Sequence, residues 1–247
     1  QRVDQSRFHS FTTSQSFSGV DQSTVFNDLN LNKLSIALNL TQPRAIELAK
    51  RIVSISDVVM ENMRPGVMER LGLGYQALRE VKPNIIMLSS SACGASGPER
   101  HYVGYAPTFA AMGGLSFLTG YPDAAPTWLA GPVDLRSAAT AAYAILAALY
   151  YLHQTGRGQY IDLSSREAIS VLIGDILLDY EMNGRAQSRQ GNRHPIMAPH
   201  NCYRCRGEDK WVSIAIATDE EWQALAKAMG HPSGPGRRAC RRPGPVA

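Results

Sequence analysis

Long hydrophobic runs, a cysteine framework and the common phosphate and hydrolase signatures are all missing from this chain. No apolar run approaches the roughly 18 residues that a bilayer span needs, so an integral membrane protein is not expected. Only four cysteines occur, Cys93, Cys202, Cys205 and Cys240, too few and too scattered for a disulfide scaffold, and a reducing, cytoplasmic setting fits them best. Cys202-Tyr-Arg-Cys205 is a lone C-x-x-C, whereas a structural zinc needs two more ligands at suitable spacing; two ordinary cysteines flanking a turn is the plainer reading, and no metal site is expected. There is no Gly-x-Gly-x-x-Gly fingerprint, no P-loop, no Gly-x-Ser-x-Gly elbow and no His-Glu-x-x-His. The usual NAD-dependent and hydrolytic chemistries lose their support. The first thirty residues are polar and lack the charged-then-apolar pattern of a secretory signal.

What is present is ordinary globular composition, 44% hydrophobic and 19% charged over 247 residues, enough for one large domain or a domain and a half. The formal charge of +4 is carried by Arg237, Arg238, Arg241 and Arg242 near the end of the chain, which leaves a near-neutral body. A nucleic-acid or membrane-surface partner would need a basic face, and neither is expected.

Residues 1–28 lack apolar periodicity and read as loop, or as the remnant of an element whose start is missing. Residues 35–40 alternate like a short strand. Thr41 then suits an N-cap, with Pro43 in the first turn and Ile46, Leu48, Ala49, Ile52 and Val53 as a helical apolar face. Residues 57–60 read as a buried strand, 67–71 and 75–81 as short helices, and 85–89 as a second strand. That alternation is the mark of a parallel sheet covered by helices, in which ligands sit beyond the carboxyl ends of the strands. The rule selects two loops, residues 62–66 and 90–97. Residues 138–152 form an Ala-rich helix expected to be buried on most sides, closed by Gly156 and followed by a strand over 160–163 and a helix over about 166–180. A polar stretch leads to a strand over 211–217 and a helix over 219–229 capped by Thr218 or Asp219.

Several motifs recur in a fixed order: Asn30-Leu-Asn32-Lys33, Glu61-Asn62-Met63-Arg64-Pro65-Gly66, Arg70-Leu71-Gly72, Gly94-Ala-Ser-Gly97-Pro98, Asp134 ahead of the Ala-rich helix, and Thr155-Gly156-Arg157-Gly158-Gln159. In this order the chain resembles the class III CoA-transferases, a family that takes in formyl-CoA transferase, carnitine CoA-transferase and α-methylacyl-CoA racemase. The resemblance runs from about Asn30 to Pro232. It implies that Asp134 is the catalytic nucleophile, and that Lys33, Asn62, Met63, Arg70 and Leu71 contact CoA, with the two cations facing phosphates and Met63 where an aromatic is usual. From the residues alone, Asp134 is equally a helix N-cap, Lys33 an exposed lysine, and Arg70 a helix-surface residue paired with Glu69 or Glu61. Cap and nucleophile are compatible, because a helix dipole keeps a carboxylate ionised.

The implied reaction transfers CoA between an acyl-CoA thioester and a carboxylic acid acceptor through an aspartyl anhydride and an aspartyl-CoA thioester, with CoA as a substrate and no tightly bound cofactor. A racemase reading needs a histidine at Gly104, and the nearest is His101; the family's assisting lysine and glutamate align with Val103 and Ala106, which sets formate and oxalate aside as substrates. A third reading is an inactive fragment that at most binds CoA. The expected architecture is α/β: a Rossmann-like parallel-sheet domain over residues 1–183 without the family's first strand, a linker over 184–200, and the start of a smaller α/β domain over 201–232. Residues 233–247 are expected to form a disordered, possibly foreign tail. Full-length relatives form interlocked dimers, so a homodimer is expected.

Overall fold

A computed structural model describes Arg7 and residues 22–129 and 131–230, so the expectation for the 233–247 tail lies outside the described residues. The chain divides into two compact units, Gln1–Ala49 and Lys50–Ala247.

In the first unit, α1 (Thr24–Leu29) occupies part of what the sequence suggested was loop. Its start is fixed by Ser23, whose hydroxyl accepts the Phe26 N–H at 3.2 Å, a local cap that needs no apolar period. The strand expected at 35–40 is absent: residues 33–39 have no regular structure, and Leu34 and Ile36 are exposed. Alternation makes a strand only where a neighbouring strand supplies hydrogen-bond partners. Helix α2 (Pro43–Ser54) starts at the proline. The Thr41 hydroxyl donates to Asn39 Oδ1 at 2.8 Å, while the Gln42 carbonyl takes the first helical N–H groups.

The second unit holds a mixed α/β arrangement around three parallel strands, β1 (Val58–Glu61), β2 (Ile86–Ser91) and β3 (Tyr160–Ser164), in the order β1-β2-β3. Helices α3 (Val67–Arg70) and α4 (Tyr75–Val81) connect β1 to β2. Lys82 fastens that crossover, donating from Nζ to the Ser56 carbonyl at 2.5 Å and to Asp57 at 3.2 Å. Between β2 and β3 run α5 (Ala106–Met112), α6 (Leu115–Leu118) and α7 (Gly131–Thr155). Ile85, Ile86, Met87 and Leu88 are almost fully buried. Leu88 and Leu163 pack on Ala141 of α7, with Ala144, Ile145 and Ile161 around them.

Four sequence expectations about α7 and its successor are corrected. The helix begins at Gly131, seven residues before the expected start, so Asp134 lies inside its first turn and is not its N-cap. It is also not buried on most sides, since Leu135, Tyr143, Leu146 and Tyr150 are each at least 66% exposed. Its segment Val133–Thr155 is long and apolar enough by length and composition to cross a membrane, contrary to the reading that no run approaches that size. Scattered Thr, Tyr and Arg hide the run from the eye, but alanine keeps the mean hydropathy high. The single helix expected over 166–180 is broken into α8 (Ser165–Ser170), a 3-10 turn (Val171–Ile173) and α9 (Gly174–Asn183). The break falls at Ile173, whose φ of −114° and ψ of 24° leave the helical region, whereas Gly174 keeps ordinary helical angles.

A separate antiparallel pair follows, β4 (His200–Arg204) with β5 (Trp211–Ala215), and then α10 (Asp219–Ala228). Strand β4 was missed because His-Asn-Cys-Tyr-Arg has no apolar alternation and the pair has no buried side to impose one. Helix α10 begins with a reciprocal capping box: Thr218 Oγ1 accepts the Glu221 N–H, and the Glu221 carboxylate accepts the Thr218 N–H.

Candidate active site

The parallel register sorts the strands into two faces. Leu88 and Ile161 are paired and face α7, as does Leu163. The alternate residues face the other way, and register sets Glu61 beside Ser89 and Ser89 beside Asp162 as one row across the carboxyl end of the sheet. Along the same face, Met87 pairs with Tyr160 and Ser91 with Ser164. This row floors an open cleft with about 310 Å³ of empty volume. The walls are the turn after β1, through Met63, Arg64, Pro65 and Gly66, and the loop after β2, through Ala95. Both loops are the ones that the carboxyl-end rule selects.

The turn after β1 is held by Glu61, whose carboxylate accepts the Met63 N–H at 2.6 Å. Gly66 carries a φ of 82°, which a side chain would strain, and the Arg70 guanidinium lies against it: a Cβ there would meet Nη1 at 3.2 Å. Asn62, Met63 and Arg70 are exposed, and Leu71 is half-buried at the end of α3. Four of the five expected CoA contacts therefore come from one turn and its helix. Lys33 belongs to the first unit, where its ammonium donates to the Leu29 carbonyl at 2.7 Å and to Asn30 Oδ1 at 3.1 Å, closing the end of α1.

The loop after β2 is bound to β3 and α8. The Ala95 N–H is shared by the two oxygens of Asp162, at 2.9 and 3.0 Å. The Arg166 N–H donates to the Ala92 carbonyl at 3.1 Å, and the Arg166 guanidinium pairs with Glu99. Tyr160 stacks on Tyr75 with ring centroids 5.3 Å apart. Burial pushes its phenol up from the usual value, a hydrogen bond with Ser89 opposes this, and the carboxylates of Asp162, Glu69 and Glu61 add to the rise. The cleft is acidic. Ser91 Oγ, at its edge, is buried with no hydrogen-bond partner. Sequence reading missed Tyr160 and Asp162. The available signal was their separation of two within a strand, which puts both on the face opposite the apolar Ile161 and Leu163.

Asp134 is not among the residues lining this cleft. Because β2 and β3 are parallel, α7 returns antiparallel to them, and Ala141 packs at the level of Leu88 and Leu163. Asp134 lies two turns nearer the helix start, at the carboxyl edge of the sheet, on the opposite face from the cleft. Its neighbour Val133 is fully buried among Ala106, Ala110 and Ile169, which fixes the first turn of the helix. The carboxylate is open on one side, yet the surrounding protein strips enough water to push its pKa up. The direction is opposite to the dipole effect expected from its place near a helix N-terminus. At Gly104, the racemase position, a Cβ would come within 2.7 Å of the Thr108 side chain, and His101 is exposed in the preceding turn.

Comparison with known proteins identifies the family. The model of CoA-transferase family III matches residues 1–242. Among curated proteins, the chain is 37% identical over 214 residues to an acetyl-CoA:oxalate CoA-transferase of Acetobacter aceti, covering 86% of this chain and 54% of that protein. It is 36% identical over 204 residues to a succinyl-CoA–D-citramalate CoA-transferase of Chloroflexus aurantiacus, covering 81% and 50%. Among solved structures, a CAIB/BAIF family protein from Brucella suis superposes with a TM-score of 0.73 at 30% identity, over 80% of this chain and 52% of that one. The chain thus spans about half the length of the relatives it matches. On the match through residue 242 and the likeness of the fold, the chain belongs to CoA-transferase family III.

Proposed function

We propose that this chain carries the CoA-binding face and the nucleophile of an enzyme that moves CoA from an acyl-CoA to a carboxylic acid. The reading is supported by Asp134, a carboxylate in the first turn of α7 whose pKa is pushed up by partial burial, in a chain of this family. The carboxylate attacks the thioester carbonyl, the C–S bond breaks, and CoA leaves as the thiolate with an acyl-aspartyl anhydride left behind. The thiolate then attacks the aspartyl carbonyl, giving an aspartyl-CoA thioester and releasing the first acid as its carboxylate. A second carboxylate runs the two steps in reverse. Covalent catalysis of this kind replaces one difficult exchange with several acyl transfers.

Charge divides the cleft's work. Glu61, Glu69 and Asp162 repel a polyanion, so the phosphates of CoA are assigned to Arg70, the cation that the resemblance gives to this turn, and to Arg64 beside it. Asn62, Met63 and Leu71 flank the same turn. CoA is long and extended, so a molecule anchored there crosses the carboxyl edge to bring its thioester to Asp134. The acids named in relatives, oxalate, D-citramalate, L-malate and glutarate, are all dicarboxylic, and the acceptor we infer is a dicarboxylic acid. The oxalate enzyme among them counts against setting oxalate aside on Val103 and Ala106. The working form is a homodimer in the cytoplasm, without a tightly bound cofactor or a membrane or nucleic-acid partner. The resemblance implies interlocked dimers, and the exposed apolar side chains of α7 are suited to a covered surface.

The test is to incubate the protein with succinyl-CoA, trap with hydroxylamine and map the modification. A modified Asp134, and loss of transfer in Asp134→Ala, is the expected outcome. Undiminished transfer in that variant would remove Asp134 from the mechanism.

A further inference from the structure

The geometry points to Asp162 as a positioning residue that holds the loop after β2 in its binding shape. This rests on the CoA-binding reading for its effect on affinity, but the contact itself is independent of it. Both oxygens of Asp162 converge on the single N–H of Ala95, at 2.9 and 3.0 Å. The loop is laid flat against the strand: a Cβ on Gly94, whose φ is 81°, would lie 3.6 and 3.7 Å from the two oxygens and 3.6 Å from Ser164 Cβ. Gly97, with a φ of 83°, turns the chain again.

The other ties of this loop lie beside it and away from the cleft floor: Arg166 N–H to the Ala92 carbonyl, and the Arg166 guanidinium to Glu99. Asp162 alone among these partners lines the cleft with Ala95. It forms no ion pair among the described residues. An exposed carboxylate without a cation, in a cleft that already holds Glu61 and Glu69, raises the negative potential exactly where a polyanionic ligand approaches. The arrangement is favourable if its hydrogen bond to the loop outweighs that repulsion, because a charge-assisted bond is about twice as strong as a neutral one.

Two substitutions in the full 247-residue chain separate positioning from charge. Asp162→Asn keeps an acceptor oxygen and removes the charge; Asp162→Ala removes both. Hydrogen exchange at the Ala95 amide should rise roughly tenfold in Asp162→Ala and much less in Asp162→Asn. CoA affinity at low salt, read by calorimetry, should fall roughly tenfold in Asp162→Ala and be retained or improved in Asp162→Asn. If Asp162 acts only as a charge, both variants bind CoA more tightly by the same factor and Ala95 exchange stays at its original rate, which overturns the proposal. If the parent chain binds no CoA, the CoA reading fails by itself, and the exchange rate at Ala95 still decides whether the carboxylate holds the loop.

Discussion

Gly158, two residues before β3, has the closest contacts of the described glycines, and replacing it by alanine tests how the entry to β3 packs on the start of β2. A Cβ at this position would lie 2.1 Å from the Ile85 carbonyl oxygen and 2.5 Å from both the carbonyl carbon and the oxygen of Asn84. All three atoms are backbone, so no side-chain rotation relieves the contact. Reaching an ordinary separation of about 3.4 Å needs a relative shift of about 1.3 Å between the turn after α7 and the start of β2. The same segment carries the bond from the Met87 N–H to the Gln159 carbonyl at 3.0 Å, the first link between β2 and β3.

Overpacking of a rigid site costs about 1 to 3 kcal/mol, and a broken backbone hydrogen bond adds about 1 kcal/mol. Gly158→Ala should therefore lose about 3 kcal/mol, a large share of the ~5 to 15 kcal/mol that holds a typical domain together. The neighbouring glycine is the control. Gly156 has a φ of 71° but open space around its Cβ position, so Gly156→Ala should lose only the left-handed backbone penalty of about 1 to 2 kcal/mol. Urea unfolding followed by circular dichroism measures both. A loss below about 1 kcal/mol for Gly158→Ala, or one no larger than that of Gly156→Ala, would refute the close approach of these two backbones.

Other consequences follow from the site. Because only ionised Asp134 can attack and desolvation raises its pKa, transfer should rise with pH through a group titrating above the usual aspartate value; a limb at or below that value would refute the desolvation. The sign for stability is the reverse: a raised folded pKa disfavours the ionised state, so Asp134→Asn should be more stable than the parent above that pKa, with the gain vanishing at acid pH, as urea melts at several pH values would show. Ser91→Ala removes a buried hydroxyl without a partner, so stability should be unchanged or raised while affinity for CoA falls; a clear loss of stability would mean the hydroxyl has a partner in the folded chain. Arg70→Ala should weaken CoA by about 1 to 3 kcal/mol at low salt, and an unchanged dissociation constant would leave Arg70 a surface residue. Leu146→Glu with Tyr150→Glu should shift the protein to smaller species on size-exclusion chromatography, and an unaltered elution volume would separate that face from self-association.

The central strand of the parallel sheet was legible because burial on both faces forces an apolar run, and Ile85-Ile86-Met87-Leu88 could hardly be anything else. The loops of the cleft were legible through topology, since parallel strands place binding loops at one end. The chemistry inside the cleft was not. Asp162 and Glu61 look like solvated strand residues in the sequence, and only register puts them in one row with Ser89. Register depends on long-range pairing that no local pattern encodes. The false strand at 35–40 and the missed β4 fail for the same reason in opposite directions: one alternates without a partner, the other has a partner without alternating.

Helix α7 shows how composition can reveal an element and conceal its faces. Its buried stripe is Val133, Ser137, Ala141 and Ala148, at helical spacing and mostly small. Small residues let the helix backbone lie close to β2 and β3, where Leu88 and Leu163 supply the bulk. The large side chains, Leu135, Tyr143, Leu146 and Tyr150, are consequently turned away from the sheet and stand exposed. A surface helix of ordinary design does the opposite, hiding its large apolar residues and exposing the small and polar ones. Counting apolar residues therefore predicts burial all round, and measuring length and hydropathy suggests a span. Both miss that the stripe toward the sheet is mostly small, with Ile145 adding bulk beside Leu88 and Leu163. The same close packing fixes Val133 at the helix start, and with it the turn that presents Asp134 at the edge of the sheet.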